Sequence, residues 1–278
     1  MIFETHTPAA PYDQLIESIF HFKGFQPDHS IERVVPTGHV FLLFELDGYT
    51  RHTYDSTTLA PNAEFHKAWV SGLHSNHLSI SAHDDSEMFV VQFKPGGAFA
   101  FLHQPMDKLA DRVVSGKEFA DKELFSTREK LLSAATSKEK FDVADRWLMD
   151  NYDASCLPPK PLLDVVETLD AQPTCKLNDL IQTFDGSQKH LIAQFKKYIG
   201  VTPKQYQRIV RFNGIFMEMQ GDQFLSWSDI AYRCGYSDQS HFIREFKRFS
   251  GFVPEAFLKE EFDEETPNFF PLDRNEAE

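Results

Sequence analysis

Residues 226–257 read SWSDIAYRCGYSDQSHFIREFKRFSGFVPEAF, and this stretch decides the fold of the C-terminal third. Ser226-Trp227-Ser228-Asp229 is a capping-box-like helix start, with Asp229 acidic in the first turn. The helix it opens runs through Ile230-Ala231-Tyr232-Arg233-Cys234 and stops at Gly235, which can take the left-handed cap. Tyr236-Ser237-Asp238 makes a turn and caps a second helix. There Phe242, Phe246 and Phe249 fall at i, i+4 and i+7, so they form one buried stripe. The other face carries Gln239, Ser240, Ile243, Arg244 and Lys247. A helix with Arg, Lys, Ser and Gln on its free face suits a DNA major groove.

The same pattern occurs once before. At an offset of 51, His190 matches His241, Phe195 matches Phe246, Lys196 matches Lys247, Gly200 matches Gly251 and Pro203 matches Pro254. The preceding helices align at an offset of 50, with Leu180-Ile181 against Ile230-Ala231, so the second unit has one extra residue in its turn. In the first unit Leu191, Phe195 and Tyr198 make the stripe and leave Gln188, Lys189, Ile192 and Lys196 outside. Between the units lies a helix of 17 residues, Pro203–Met219, with proline in its first turn. At about 1.5 Å per residue it is roughly 25 Å long. That length suits two recognition helices held about one DNA turn, near 34 Å, apart. Arg208 and Arg211 share a face of this helix and are expected to meet phosphates, as are Gln188, Lys196, Gln239 and Lys247.

Working outward, the chain changes character twice. Up to residue 106 it is strand-rich: Val34-Val35, His39 to Leu46, Lys67 to Val70, Leu78 to Ile80 and Met88 to Phe93 are short β-forming runs. Pro36-Thr37-Gly38, Asp47-Gly48 and Pro95-Gly96-Gly97 punctuate them, Asp47-Gly48 as a hairpin-type signal. Short strands at this spacing predict an antiparallel sheet, sandwich or barrel. From 107 to 157 the spacing is helical, as in Phe141, Ala144, Trp147 and Leu148. Pro158-Pro159-Lys160-Pro161 reads as a stiff, extended linker and places a domain boundary there. The double helix-turn-helix unit then occupies 158–259, and the acidic segment 260–278 is expected to be disordered. The fold class is therefore α+β and multidomain. An antiparallel β-rich domain comes first (1–106), helices for signal transmission or dimerisation follow (107–157), and an all-α domain comes last.

A net charge of −14 argues at first against nucleic acid, but its distribution matters more than its sum. Residues 186–211 hold six basic side chains (Lys189, Lys196, Lys197, Lys204, Arg208, Arg211) and no acid. The three cysteines, Cys156, Cys175 and Cys234, are spread without CxxC spacing, which suits a reducing compartment and offers no zinc module. The N-terminal residues show no signal peptide, and the longest apolar run, Val40 to Phe44, is too short to span a membrane, so the expectation is a cytoplasmic chain with no membrane partner. His74-x-x-His77 could supply two metal ligands, but no acid falls beside it at a recognised spacing, and neither metal nor cofactor is expected. Gly96-Gly97 before a helix is better explained by a tight turn than by an anion site. With no GxSxG, phosphate loop or HExxH, no catalytic residue is assigned, and the chain is not expected to be an enzyme.

These residues also reach a known family. Ile230-Ala231 through Gly235-Tyr236, then Ser240-His241-Phe242-Ile243-Arg244-Glu245-Phe246-Lys247, Gly251 and Pro254, closely resemble the signature of AraC/XylS-type transcriptional regulators. Leu191, Phe195-Lys196-Lys197, Gly200, Thr202-Pro203 and Tyr206 resemble their first unit. The resemblance implies base-facing positions at Lys189, Ile192 and Ala193 in the first unit, and at Ser240, His241 and Arg244 in the second. Ala193 stands where these regulators commonly carry arginine, so the first helix would read DNA through Lys189 and apolar contact from Ile192. Asp185 stands where a turn glycine is usual, with Gly186 next to it. More loosely, Pro36-Thr37-Gly38, Gly72, Phe93-Lys94-Pro95-Gly96-Gly97 and Leu109 to Val113 are similar to N-terminal domains that accompany such modules. In better-known relatives that half is a cupin-like barrel that binds an effector. The implied partners are double-stranded DNA, a small-molecule or protein effector, a second copy in a homodimer and, for an activator, RNA polymerase. The alternative is a protein-interaction or antagonist module that keeps the fold with weak DNA binding, motivated by the acidic sum and by Ala193.

Overall fold

The computed structural model describes residues 1–119, 122–219, 226–257 and 269–273. In chain order the strands are β1 (Ile2–His6), β2 (Ile16–Phe25), β3 (Ile31–Val34), β4 (Val40–Glu45), β5 (Arg51–Tyr54), β6 (Pro61–Phe65), β7 (Ala68–Ser71), β8 (Leu78–Ser81), β9 (Ser86–Phe93), β10 (Val113–Ser115) and β11 (Phe269–Pro271). Among the described residues they form two antiparallel sheets, ordered β1-β2-β9-β4-β7-β10 and β11-β3-β8-β5-β6. The apolar run of β9 follows from burial on both faces. Phe89 and Phe93 pack on Phe141 and Phe101 at 5.6 and 5.8 Å between ring centroids, while Met88 and Val90 join a separate cluster with Phe65 and Trp69.

The first helices cover one face of the six-stranded sheet: α1 (Phe99–Leu102), α2 (Lys122–Ser133) and α3 (Ser137–Asn151). A capping box starts α3, with the Thr136 side chain accepting from Glu139 N and the Glu139 side chain accepting in return. The C-terminal domain follows as α4 (Lys160–Ala171), α5 (Leu177–Thr183), α6 (Gln188–Tyr198), α7 (Pro203–Met219), α8 (Trp227–Arg233), α9 (Gln239–Ser250) and α10 (Pro254–Phe257). The architecture expected from the sequence, antiparallel β first and all-α last, is the one that forms. No helix among the described residues is long and apolar enough to cross a membrane.

Four local expectations need correction. Asp47-Gly48 is a turn, with Gly48 at φ 85°, but it is not a hairpin, because β4 pairs with β7 and β9 while β5 lies in the other sheet. The helical segment over 107–157 contains β10, which pairs with β7 and extends the first sheet beyond residue 106. The stiff linker is shorter than read. Lys160 already opens α4, with Pro161 in its first turn, where a missing N–H costs nothing. The disordered tail over 260–278 does not hold for Phe269–Asp273. β11 pairs with β3, Phe270 is 1% exposed, and the Asp273 carboxylate accepts from the backbone N–H groups of Ser30 and Ile31 at 3.0 and 2.7 Å. Burial of one phenyl ring and satisfaction of these donors outweigh the polar composition around them. Residues 258–268 and 274–278 lie outside the described residues.

The two domains share one continuous hydrophobic core. Among the described residues the N-terminal domain touches the C-terminal one at Met106, whose carbonyl oxygen would lie 3.1 Å from a Cβ on Gly200, and also at three further pieces. At Pro36-Thr37-Gly38, the Asn213 side chain donates to Thr37 O at 3.1 Å, and a Cβ on Gly38 would lie 3.7 Å from the Tyr206 ring. At the turn after β9, a Cβ on Gly96 would lie 3.4 Å from Pro158 and 3.5 Å from Ile199, and Phe99 packs on Tyr198 at 5.4 Å. The third piece is β3 with the loop before β8. Arg33 donates to Ser250 O at 3.4 Å, and the Arg248 guanidinium donates to the Asn76 side chain at 2.8 Å.

Candidate nucleic-acid interface

Each half of the C-terminal domain is a helix, a tight turn and a second helix whose first residues are capped. Ser187 accepts from His190 N at 3.2 Å to start α6, and Asp238 accepts from His241 N at 2.7 Å to start α9. The backbone N–H of His241 holds the Asp238 carboxyl below its usual pKa. α8 begins with a full capping box between Ser226 and Asp229. α9 ends at Gly251 with φ 76°, a left-handed conformation that favours glycine, and a Cβ there would meet the Arg33 guanidinium at 2.5 Å and displace it.

The expected stripes are buried: Leu191, Phe195 and Tyr198 on α6, and Phe242, Phe246 and Phe249 on α9, none more than 7% exposed. Trp227 adds to the second stripe, 5.7 Å from Phe242 and 5.5 Å from Phe246 between ring centroids. The faces left in solvent carry the residues singled out from the sequence. On α6, Gln188, Lys189, Ala193 and Lys196 are exposed and Ile192 is half-buried. On α9, Gln239, Ser240, Arg244 and Lys247 are exposed and His241 is half-buried. In the turn before α6, Gly186 has φ 146°, while Asp185 keeps an ordinary negative φ.

Arg208 and Arg211 are placed differently. They do share a face of α7, but that face meets α9, and both guanidiniums are turned onto Glu245. Arg208 Nε lies 2.9 Å from Oε2, and Arg211 Nη2 lies 3.0 Å from Oε1. The Tyr236 hydroxyl donates to the same Oε1 at 3.3 Å, and His241 Nε2 stands 3.5 Å from Oε2. Burial pushes the Glu245 carboxyl up, but hydrogen bonds and charge from Arg211 and Arg208 outweigh it and hold the pKa below the usual glutamate value. The phosphate-facing expectation for this pair therefore meets a competing partner inside the domain.

Glu245 escaped the sequence reading, although a signal was present. It lies three residues after Phe242 and one before Phe246, so it falls on the buried stripe, where an unpaired acid would be costly. Lys197, read as part of the basic strip, points instead at the N-terminal domain, with its ammonium 5.1 Å from the Phe99 ring centroid and 4.7 Å from that of Tyr198. The two histidines weighed as metal ligands have other partners, one local and one across the domain contact. His74 Nε2 lies 3.1 Å from the Ser71 hydroxyl, and His77 Nδ1 donates to Arg248 O at 3.3 Å.

Residues 180–260 match the helix-turn-helix domain family, and residues 4–115 match a domain of unknown function, DUF6597. The C-terminal domain is of the AraC type. Among curated proteins, the chain is 37% identical over 65 residues to YbfI of Bacillus subtilis, an uncharacterized HTH-type transcriptional regulator. It is 36% identical over 73 residues to the HTH-type transcriptional activator RhaS of Escherichia coli. These matches span about a quarter of each relative, 23% and 26% of their lengths, and the same shares of this chain. Solved structures of ToxT from Vibrio cholerae are similar over 93% of this chain and 98% of theirs at 11% identity and a TM-score of 0.46, and, for ToxT with an unsaturated fatty acid bound, over 92% and 94% at 12% and 0.44. An AraC-type domain is a DNA-binding module, and here its two second helices, α6 and α9, are the ones with exposed basic faces.

Proposed function

We propose that this chain is a sequence-specific transcriptional regulator that inserts α6 and α9 into successive major grooves of double-stranded DNA. The observation that carries the reading is the division of each second helix into two faces. Phenyl and aliphatic side chains on one face are buried, and Lys, Arg, Gln and Ser on the other stay in solvent. In this reading Lys189, Ile192, Ala193, Ser240, His241 and Arg244 face base edges, and Gln188, Lys196, Gln239 and Lys247 meet phosphates. Arg208 and Arg211 are set apart by Glu245.

The first helix would contribute less base readout. Ile192 offers a thymine methyl an apolar contact and Ala193 offers no hydrogen bond, so Lys189 is its main polar reader. The second helix, with Ser240, His241 and Arg244, carries most of the discrimination. A small-molecule or protein effector acts through the N-terminal domain, in support of which that domain touches α6, α7 and α9 directly. The chain acts as a switch on DNA rather than as a catalyst.

The test is fluorescence anisotropy of the full chain with labelled duplex, titrated between about 50 and 200 mM salt. Steeply salt-dependent binding that tightens on a selected sequence supports the regulator. A folded chain with no duplex binding at low salt refutes it and turns the search to protein partners.

A further inference from the structure

Glu245 is a charged residue on a recognition helix that faces away from the groove. Its side chain is 2% exposed and is the common partner of Arg208 and Arg211, whose side chains are 24% and 16% exposed. Arg208 is further held by the Gln205 side chain, to which it donates at 3.1 Å. Arg211 also lies over the Tyr236 ring, its guanidinium carbon 4.3 Å from the centroid. Charge-assisted bonds of this kind are about twice as strong as neutral ones.

Each guanidinium keeps N–H donors beyond those given to Glu245 and Gln205, but swinging either arginine fully onto a DNA phosphate draws it off Glu245. That exchange leaves a buried carboxylate with one cation fewer, and breaking a buried pair is far more costly than losing a surface one. Lys196 and Lys247, by contrast, are exposed on the outer faces of α6 and α9. The carboxylate also stands beside His241, whose other ring nitrogen, Nδ1, lies 3.5 Å from the Ser237 hydroxyl. The imidazole is thus bracketed at the edge of the groove-facing row.

We propose that Glu245 is a selectivity-determining residue: it withholds Arg208 and Arg211 from the DNA backbone and positions His241 for base contact. The proposal rests on the DNA-binding reading above. Its consequence is that phosphate neutralisation, the sequence-independent part of binding, is kept small on the α7 side of the interface. The chain then gives up general affinity for DNA and gains contrast between its own site and all others.

The experiment uses the full chain and a duplex of arbitrary sequence, about 30 base pairs long, so that no operator need be known, with salt titrated as above. Lys196→Ala should lower the salt slope by about 0.9, the value for one lost phosphate contact. Arg208→Ala and Arg211→Ala should leave the slope unchanged, since neither guanidinium is on the backbone. Glu245→Gln, with folding verified by circular dichroism, should raise the slope by about 1 to 2 and tighten binding to the arbitrary duplex several-fold, as the arginines are released. A slope lowered by Arg208→Ala or Arg211→Ala as by Lys196→Ala overturns the proposal, and so does an unchanged slope in folded Glu245→Gln. If Glu245→Gln does not fold, the two arginine variants still decide. A wild-type chain with no salt-dependent binding removes the DNA reading itself, and that failure is distinguishable because it precedes any variant.

Discussion

Phe270 stands directly opposite Arg33 across the β3–β11 pair, and both side chains meet the same patch of the C-terminal domain. The Arg33 guanidinium lies 4.6 Å from the Phe252 ring centroid, and Phe270 packs on Phe252 and Phe257 at 5.9 and 4.9 Å. One short strand pair therefore ties the five-stranded sheet to the end of the second helix-turn-helix unit. Phe270→Ala empties a fully buried site, and changes of this type cost about 3–5 kcal/mol. Guanidinium denaturation of the full chain should show a clearly lower midpoint. A midpoint equal to wild type would mean that β11 contributes nothing to the junction.

The capping residue of α9 offers a smaller and more local test. Asp238 accepts from His241 N at 2.7 Å and fixes where the helix begins. Asp238→Ala should lower stability by about 1 kcal/mol, within the range of about 0.5–2 for lost caps. Because the cap also sets the orientation of Ser240 and His241, binding to a selected duplex should weaken in parallel. A stability loss with unchanged affinity would separate the cap from the residues proposed to face the groove.

Arg244 is exposed on α9 beside Ser240 and His241, with which it is proposed to face base edges. Once a cognate site has been selected, Arg244→Ala should cost about 1–3 kcal/mol on it and relax the preference at one base pair. Lys247→Ala should weaken all duplexes alike and lower the salt slope by about 0.9. Competition titrations with single-base variants check both. Equal discrimination with and without the arginine would take Arg244 out of base readout.

Stability should also depend on pH through Glu45, which is fully buried at the end of β4. Burial pushes its carboxyl up to about 7, against the backbone N–H of Lys67 and the charge of Arg51. A carboxyl that keeps its proton to higher pH in the folded chain than the ordinary 4.5 contributes stability that is complete below that value. The contribution is lost as pH rises toward 7. At 1.36 kcal/mol per unit the loss is about 3 kcal/mol across this window. Glu45→Gln has no such proton to lose, so its stability should fall less between about pH 4.5 and 7 than that of the wild type. Parallel pH profiles of the two chains would contradict the assignment.

The elements most legible in the sequence were those whose local and tertiary signals agree. α7, α8 and α9 carry a proline start, a capping box, a glycine stop and an aromatic stripe, and they form where those signals place them. β9 and β4 were legible as apolar runs because both of their faces are buried. β1 and β6 were not, since they are edge strands with four exposed residues each and no apolar alternation to read. The site shows the same limit. Exposure of Lys189, Ser240 and Arg244 follows from helical period alone. The engagement of Arg208 and Arg211 does not, because it depends on how α7 crosses α9. A glutamate on the apolar face was the one local clue, and it says only that some cation must lie nearby.

The pairing of β11 with β3 has a consequence for the order of events during synthesis. Ser30 and Asp273 are 243 positions apart along the chain. At about 5–20 residues per second, a ribosome needs roughly 10–50 s to deliver the second after the first. Throughout that interval β3 presents an open edge, with the N–H groups of Ser30 and Ile31 still waiting for their carboxylate. Unpaired edges are where nascent chains associate wrongly. A message broken between codons 259 and 269 would therefore yield a product that keeps both helix-turn-helix units yet carries a permanently unfinished sheet, and such a product is a natural substrate for chaperones and proteases.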